Sequence, residues 1–510
     1  MHGMKHDEKI NCHIFIAATI HLAIFCLLFL FHRQRENRQP PATLLRYGPF
    51  PSPPLAMTTA RQQAETLFHT GNQQMETGDD AGAERSFLLA LAQDPGLAEA
   101  HANLAYLHER AGDAAAAEAR YRRALALSPD CLQIALNLGS LLLDGKRFAE
   151  AEAIGRQALQ IAPGEPAAWS NLGVLLACMK REDEAEQCYR IALALDDGYD
   201  KARFNLSYIL LRQGRFDEGW RCLEARNWYE YLNRHFTFPR WRGEALTGKS
   251  LVITIEAGHG DMIQLCRYAA VLKSRGASRI AIICHPGLTT LFRSLQDVDA
   301  VFSITGELPS NGWDYWSPPL SLPRHCRTDL DSIPARIPYL AADPARIEVW
   351  SRRLSTTARR VGLVWKGSPG FENDADRSLP SVALLAPLAS VPGIQFVSLQ
   401  KGRGEDEIAG APLPLLPLGG ELQDFAETAA VVSALDLVIS VDTAVAHLAG
   451  ALGKPCWLLL PDYRTDWRWL TERTDTPWYP TLRLFRQPPR GGWEPVMARV
   501  EQALREWVAG

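Results

Sequence analysis

The chain has 510 residues, 47% hydrophobic and 22% charged, which is ordinary for a globular protein of several domains. Its formal net charge of −4 at pH 7 gives no basic footprint of the kind that nucleic-acid-binding proteins carry, so no nucleic-acid partner is expected. The ten cysteines show no metal-ligand spacing, which argues against a zinc site and a disulfide framework and indicates reduced thiols in the cytoplasm.

The N-terminal segment predicts a membrane anchor. Residues 10–32 contain no Lys, Arg, Asp or Glu and are long enough to cross a bilayer as one helix. More basic residues follow this run than precede it, so the bulk of the chain is expected in the cytoplasm, attached to the inner membrane. A second interpretation stays open: a Pro-rich stretch leads up to Met57, and translation starting there would leave 1–56 out of the protein.

Residues 60–230 repeat with a period of 34. The residues that recur at this spacing are Pro95, Pro129 and Pro163; Asn103, Asn137, Asn171 and Asn205; Ala83, Ala117, Ala151 and Ala185; and Ala90, Ala124, Ala158 and Ala192. Small residues where two helices touch, and Pro after the second helix, resemble the tetratricopeptide repeat. We therefore predict an α-solenoid over 57–235 that offers a concave groove to a protein or peptide. Repeats that only dimerise or support the next domain are the alternative.

A strand–loop–helix–strand pattern follows the repeats: "LVITIE", "AGHGD", "MIQLCRYAAVLKSRG" and "RIAIICHP". The loop lacks a full G-x-G-x-x-G, so nicotinamide binding is not indicated. Gly258 and Gly260 permit a tight turn and leave room for a ligand beside the helix start. Asp261 has two interpretations, as a helix cap or as a general base.

A second α/β series begins near residue 359. The strands "VGLVW", "IQFVSLQ", "LVISV" and "CWLLLP" alternate with the helices "SVALLAPLAS", "DFAETAAVVSALD" and "TAVAHLAGALG", which predicts a parallel sheet covered on both faces. Ligands of such sheets bind at the carboxyl ends of the strands. The donors and cations at three strand ends are Lys366, Gly367 and Ser368; Ser398 and Lys401; and Asp442, Thr443 and His447.

These three strand ends predict a diphosphate site, since a helix N-terminus also favours an anion. The alternative is that Asp442 caps a helix, His447 packs in the interior and Lys366 is solvated.

Residues 424–487, from "DFAETAA" to "LFRQ", resemble the C-terminal half of family 9 glycosyltransferases, the group that includes bacterial ADP-heptose:lipopolysaccharide heptosyltransferases. They are more similar to the bacterial branch in which tetratricopeptide repeats precede such a domain. The resemblance implies a GT-B-type pair of Rossmann-like domains, with acceptor domain 236–350 and nucleotide-sugar domain 351–510. It also implies a nucleoside-diphosphate-sugar donor, inversion at the anomeric carbon, and neither a metal nor another cofactor.

The resemblance assigns roles residue by residue. The family's glycine–aspartate pair falls on Gly260 and Asp261, which makes Asp261 the candidate base. The family's donor-phosphate loop falls on Asp442, Thr443 and Ala444, with His447 in the helix behind it. Its tryptophan–x–glycine strand end falls on residues 365–367.

Three residues depart from the family pattern. Ala257 and His259 stand where relatives usually have Gln and Leu, and Glu427 stands where Asp is common. The first two lie in the candidate active site, and His259 is the next candidate base after Asp261.

The predicted function is therefore a metal-independent inverting glycosyltransferase that acts on a protein or glycan hydroxyl. A catalytically inactive repeat scaffold and a lipopolysaccharide heptosyltransferase are the alternatives. The repeats favour a protein acceptor, whereas an N-terminal anchor favours a lipid-linked one.

Overall fold

The computed structural model describes residues 59–226, 229, 232–489 and 491–510. They divide into two compact units, with the division between Ile209 and Leu210. The predicted membrane anchor, residues 10–32, lies outside this part of the chain. Among the described residues, no helix combines the length and the apolar character that a membrane span requires.

The first unit is built from helical hairpins. Its helices are α1 (Thr59–Glu76), α2 (Asp80–Gln93), α3 (Ala98–Arg110), α4 (Ala114–Leu127), α5 (Leu132–Asp144), α6 (Phe148–Ile161), α7 (Pro166–Cys178), α8 (Glu182–Leu195) and α9 (Asp200–Arg212), the last of which continues into the second unit. Helix α1 packs on α2, α3 on α4, α5 on α6 and α7 on α8, and successive hairpins also contact one another. The predicted α-solenoid is confirmed.

The recurring alanines lie where the helices of each hairpin approach most closely. Each of the eight has no more than 2% of its surface exposed; they are Ala83, Ala117, Ala151, Ala185, Ala90, Ala124, Ala158 and Ala192. A methyl group fills this space, so the helix spacing itself depends on these positions.

Exposed ion pairs on the second helices follow the same period of 34. Arg147 bonds Glu118 and Glu150, and Arg181, 34 residues later, bonds Glu152 and Glu184. Because exposed pairs contribute little to stability, these bonds add only modestly to the packing between neighbouring hairpins.

The second unit contains two parallel sheets. The first has the strands β1 (Ser250–Ile253), β2 (Arg279–Cys284), β3 (Ala300–Ser303) and β4 (Tyr315–Ser317) in the order β3-β2-β1-β4. Val252 lies opposite Ala281 on one side and Trp316 on the other. The chain runs from β1 outward to β3 and then returns to place β4 on the other side of β1, so the strand order reverses between β1 and β4.

Short helices precede, connect and follow the strands of this first sheet. They are α10 (Phe216–Leu223), α11 (Leu232–His235), α12 (His259–Leu265), α13 (Tyr268–Ser274), α14 (Thr289–Phe292), α15 (Leu322–His325) and α16 (Pro344–Arg353), with 3₁₀ turns at Pro286–Leu288 and Pro319–Ser321.

The second sheet has six strands: β5 (Arg359–Val364), β6 (Ile394–Ser398), β7 (Leu415–Pro417), β8 (Leu437–Val441), β9 (Cys456–Leu460) and β10 (Leu482–Arg486), in the order β10-β9-β8-β5-β6-β7. All neighbours pair in parallel. Strand β8 returns to the free side of β5, so the order reverses between β5 and β8.

Helices cover both faces of this sheet. They are α17 (Asp374–Arg377), α18 (Phe425–Ala434), α19 (Ala444–Ala451) and α20 (Glu494–Ala509), with 3₁₀ segments at Val382–Ser390, Glu405–Gly410, Gly419–Glu421 and Trp467–Trp469. On one face, α20 and the 382–390 segment pack on β5, β8 and β9 around Trp365, Leu385 and Val500. The predicted parallel α/β architecture is confirmed, although two of its helices differ from the prediction.

The two differences have local causes. The helix predicted after the first strand breaks between α12 and α13, because the Arg267 guanidinium Nε donates to the carbonyl of Gln264 (2.8 Å). The segment predicted as the helix "SVALLAPLAS" is a 3₁₀ helix, and Pro387 within it cannot donate a helical hydrogen bond. The eight described cysteines are all free, in line with the reduced thiols predicted.

Candidate active site

Both points of strand-order reversal carry residues that the sequence predicted. Asp261 lies in the first turn of α12, after β1. Gly367 follows β5, and Asp442 and Thr443 follow β8. The crevice at such a reversal is the usual ligand site of an open α/β sheet.

The Asp261 carboxylate makes two kinds of contact. Its Oδ2 accepts a hydrogen bond from the Gly258 amide (2.8 Å), which is the contact of a capping box. Its Oδ1 accepts from the guanidinium of Arg468. The side chain keeps 24% of its surface exposed, so Asp261 is a cap that a solvent-side hydroxyl can still reach.

The two unusual residues of the β1–α12 loop have packing roles. His259 stacks on His285, with ring centroids 4.2 Å apart, and on Phe425 at 5.2 Å. Ala257 has a φ of +59°, a left-handed conformation that costs a non-glycine residue about 1 kcal/mol, and its carbonyl lies 3.1 Å from Nε2 of His285. Both departures therefore shape the loop around Asp261.

The N-terminal turns of α12 and α19 contact each other. A Cβ at Gly260 would lie 2.8 Å from Cδ2 of His447 and 3.5 Å from Cα of Ala444, so no larger residue fits at position 260. His447 is buried and its Nδ1 lies 2.9 Å from the hydroxyl of Tyr479. Burial holds the pKa of His447 well below its usual range, so the imidazole is neutral at pH 7. The two halves of the site therefore meet at Gly260 and His447.

Asp442 and Thr443 stand at the start of α19. The indole Nε1 of Trp469 donates to Oδ2 of Asp442 (2.8 Å), and the Thr443 hydroxyl lies 2.9 Å from that of Ser440. Burial, together with the neighbouring Asp466 carboxylate, raises the pKa of Asp442 above its ordinary value. Thr443 and Ala444 form the first turn of a helix whose free amide groups can bind an anion.

Arg377 is a cation of this crevice that the sequence analysis missed. Its Nη1 donates to the main-chain carbonyl of Asp442 (2.9 Å), and its Nε lies 3.2 Å from Asp374. A Cβ at Gly367 would lie 2.4 Å from Nη2 of Arg377, so the glycine is what lets the guanidinium lie across the end of β5. Arg377 thus spans the gap between the ends of β5 and β8.

The other predicted cations and hydroxyls differ in burial and in hydrogen-bond partners. Lys366 is 8% exposed and bonds Glu407, so it is neither solvated nor an open cation. Lys401 is exposed and donates to the carbonyl of Gly419 (3.2 Å). Ser398 has no exposed surface, whereas Ser368 is exposed.

A second missed residue is Arg468, which is buried beside the α12 helix. Besides Asp261, it bonds the side-chain oxygen of Gln264, and its Nη1 lies 3.0 and 3.1 Å from the two carboxylate oxygens of Asp466. The only sequence signal for it is an arginine between two tryptophans in "DWRWL". Spacing could not have found it, because Asp261 and Gln264, its partners in α12, precede it by 207 and 204 residues.

Glu427, the third departure from the family pattern, bonds α18 to α16. Its carboxylate accepts from Arg346 (2.8 Å) and from the indole of Trp350. In the described part of the chain, no group of three or more His, Cys, Asp or Glu side chains is arranged to hold a metal ion.

Comparison with known proteins gives two family matches. A model of the tetratricopeptide repeat matches residues 102–166 and 181–219. A model of glycosyltransferase family 9 (heptosyltransferase) matches residues 403–459, which include β8, Asp442, Thr443 and α19.

A curated relative is Protein FlbA of Caulobacter vibrioides, 32% identical over 301 residues, which are 53% of this chain and 48% of the relative. The chain thus spans about half the length of the curated relative it matches. Among solved structures, PilF of Pseudomonas aeruginosa is similar at 22% identity and a TM-score of 0.31, over 33% of this chain and 77% of that one. TTC0263 of Thermus thermophilus is similar at 22% identity and a TM-score of 0.29, over 34% of this chain and 95% of that one.

Proposed function

We propose that this chain, which carries tetratricopeptide repeats and a family 9 glycosyltransferase domain, transfers a sugar from a nucleoside-diphosphate donor to a hydroxyl of a protein acceptor. One observation carries the proposal. The reversal points of two parallel sheets hold complementary groups, an aspartate on one side and anion-binding groups on the other, and the helices behind them touch at Gly260 and His447.

The donor end is the crevice between β5 and β8. The free amides at the start of α19, the Thr443 hydroxyl and the Arg377 guanidinium can contact the two phosphates. As the bond from the anomeric carbon to the diphosphate oxygen breaks, negative charge grows on that oxygen. Preorganised donors at this position stabilise the leaving group without needing to reorganise.

The acceptor end is the β1–α12 loop. An acceptor hydroxyl loses its proton to the Asp261 carboxylate, and the oxygen attacks the anomeric carbon from the face opposite the diphosphate. The new C–O bond forms as the old one breaks, so the products are an inverted glycoside and a nucleoside diphosphate. Arg468 and the Gly258 amide keep the carboxylate oriented.

The inactive scaffold remains the second candidate, and a specific observation favours it. Both oxygens of Asp261 already have partners, and Lys366 is bound to Glu407. In a scaffold these contacts would simply hold the fold together, and the repeats would supply the whole function.

The acceptor is assigned to a protein because tetratricopeptide repeats bind proteins through extended concave surfaces.

The Asp261→Asn variant tests the proposal. Asn keeps one side-chain oxygen for the Gly258 amide, and Arg468 keeps the Asp466 carboxylate as its ionic partner, so the variant should fold with a moderately lower melting temperature. Asn cannot accept the acceptor proton, so the transfer rate should fall by about 10²–10⁴-fold while donor binding persists. Radiolabelled-sugar transfer, calorimetric donor binding and thermal melting give the three readouts.

Asp475→Asn is the matched control, because Asp475 forms an exposed pair with Arg473. It should leave transfer unchanged. Near-wild-type transfer by Asp261→Asn would make Asp261 a cap only. Donor binding without any transfer by wild type, across a panel of acceptors, would favour the scaffold.

A further inference from the structure

We propose that Arg468 is a positioning residue for Asp261, and that helix α10 holds Arg468 in place through the turn Trp467–Trp469. Only the expected effect on the transfer rate rests on the proposed function; the structural role of Arg468 does not. It assigns helix α10, at the end of the repeat region, a structural role in the transferase site.

The Arg468 side chain is 7% exposed and joins two parts of the chain. Its Nη2 donates to Asp261 and its Nε to Gln264, one turn further along α12. Its Nη1 bonds the Asp466 carboxylate at the start of its own turn. A planar guanidinium can satisfy these three partners at once, whereas an ammonium is a single point charge without the fixed fork.

Aromatic rings of α10 and its neighbours pack against the turn Trp467–Trp469. The rings of Trp220 and Trp467 meet edge to face with centroids 5.2 Å apart, and Trp467 in turn packs on Trp478 at 6.0 Å. Phe216 packs on Trp478 at 6.2 Å. The Trp220 indole also donates to the carbonyl of Thr328 (2.9 Å), so α10 is fixed within this unit and the turn has little freedom to shift.

A buried ion pair joins the same segment to the loop before α12. Arg226, three residues beyond α10, is fully buried in its side chain and its Nε donates to Oε1 of Glu256 (2.6 Å). Glu256 immediately precedes Ala257, and its Oε2 accepts from the amide of Leu320 in the 3₁₀ turn after β4 (3.1 Å). Two independent contacts thus lead from the α10 segment to the residues around Asp261.

The turn also contacts the donor end. Trp469 donates to Asp442 and lies against His447, with centroids 5.3 Å apart. Residues 467–469 therefore fix the aspartate of one sheet relative to the anion-binding loop of the other. Misplacing a reacting group by about 1 Å can cost about 10²-fold in rate, so this spacing matters for transfer.

Arg468→Gln and Arg468→Lys test the proposal by two readouts. The first is hydrogen exchange of the peptide 256–266 in the unliganded full chain, measured by mass spectrometry. Arg468→Gln should speed exchange there by about tenfold, because local opening becomes easier. Arg468→Lys should give an intermediate value, and Trp220→Phe, which keeps a ring but loses the indole donor, a smaller increase.

The second readout is kinetic. Arg468→Gln should lower kcat by about 10–100-fold while the donor Kd changes less than about threefold, and Arg468→Lys should restore part of the loss. Arg473→Gln, which breaks an exposed pair with Asp475 in the same region, should leave both readouts at wild-type values.

The outcomes separate the two proposals. Unchanged exchange at 256–266 in Arg468→Gln, or equal losses in Gln and Lys variants, would overturn the positioning role. If the glutamine variant does not fold, the lysine and Trp220→Phe variants decide by the same measurements. Faster exchange in Arg468→Gln than in wild type, together with a wild-type protein that shows no transfer at all, would leave the positioning role standing and refute the proposed function.

Discussion

Arg377 is the residue best placed to neutralise a donor phosphate. It lies across Gly367 and donates to the main chain of Asp442. Its carboxylate partner, Asp374, is shared with Arg403, so two guanidinium groups face one carboxylate there. Lys366, the cation that sequence spacing favoured, is bound to Glu407. We therefore propose that Arg377, eleven positions further along the chain, has the phosphate-binding role expected of Lys366.

Arg377→Ala should weaken donor binding by about 1.5–3 kcal/mol, the range for a hydrogen bond to a charged group. Lys366→Ala should weaken it by less, since Glu407 already engages the ammonium. Isothermal calorimetry of the folded variants measures both. A larger loss for Lys366→Ala than for Arg377→Ala would show that Glu407 releases the lysine when donor binds, and would return the role to Lys366.

Asp442 predicts a dependence of stability on pH. Its folded-state pKa lies above the unfolded value of about 3.9, so the folded chain holds the proton more tightly. The stability contributed by that proton is present at low pH and is lost as pH rises through the folded pKa. Asp442→Asn mimics the protonated form and keeps an oxygen for the Trp469 indole. Its melting temperature should exceed that of wild type at pH 7.5, and the difference should shrink toward pH 4.

Equal melting differences at both pH values would show that Asp442 keeps an ordinary pKa. The same variant should also bind a diphosphate more tightly at pH 7.5, because it removes a like charge from the crevice.

The sequence predicted the strand-end residues of the candidate site but not the guanidinium groups that lie beside them, for a physical reason. Asp261, Gly367 and Thr443 follow directly from where strands end, and strand ends are local. Arg377 and Arg468 reach the site with long side chains from neighbouring turns, so their positions depend on tertiary contacts that no spacing encodes. The sequence could not decide whether Asp261 is a helix cap or a general base, because both roles place a carboxylate at the same helix start.

Among the elements, the helices of the repeats show that equivalent positions can differ in the space available for a side chain. Gly139 and Gly173 are 34 residues apart and occupy equivalent places in α5 and α7. A Cβ at Gly173 would lie 2.6 Å from the buried ring of Tyr189, whereas a Cβ at Gly139 would lie 3.6 Å from Ile154. The ring in α8 thus takes the space that a side chain on α7 would need.

Gly173→Ala should destabilise the repeats by about 1–3 kcal/mol, as overpacking does in a dense interior. Gly139→Ala should raise stability by about 0.5–1 kcal/mol, since alanine favours a helix. Urea unfolding followed by circular dichroism at 222 nm compares the two variants with wild type. Two variants of equal stability would mean that the Tyr189 ring moves aside freely.

Elements were predicted well where their pattern was periodic. The 34-residue repeat predicted paired helices, and the alternation of strands with helices predicted a parallel sheet. Both patterns are visible in the sequence because each element buries apolar residues at regular spacing. The break between α12 and α13 was not predictable, since it depends on the Arg267 side chain withdrawing a carbonyl from the helix. The 3₁₀ form of residues 382–390 could have been expected from Pro387.

At the scale of the whole molecule, a repeat unit and a two-sheet unit share one chain, and the division falls within helix α9. The predicted boundaries at 235 and 350 stay predictions. If α10 belongs functionally to the transferase, a variant lacking the repeats should retain residues 210–226 to keep donor binding.

The proposed function requires that the crevice between β5 and β8 binds a nucleotide-sugar. Thermal-shift measurement of residues 57–510 against a panel of nucleoside-diphosphate sugars, with a nucleoside-monophosphate sugar for comparison, tests it most directly. A donor that binds only the folded state stabilises it increasingly as the donor concentration exceeds Kd, so at least one diphosphate sugar should raise the melting temperature of wild type, and Arg377→Ala should reduce the rise. No shift with any donor, a shift with the monophosphate sugar alone, or an equal shift in Arg377→Ala would show that this crevice is not the diphosphate-sugar site.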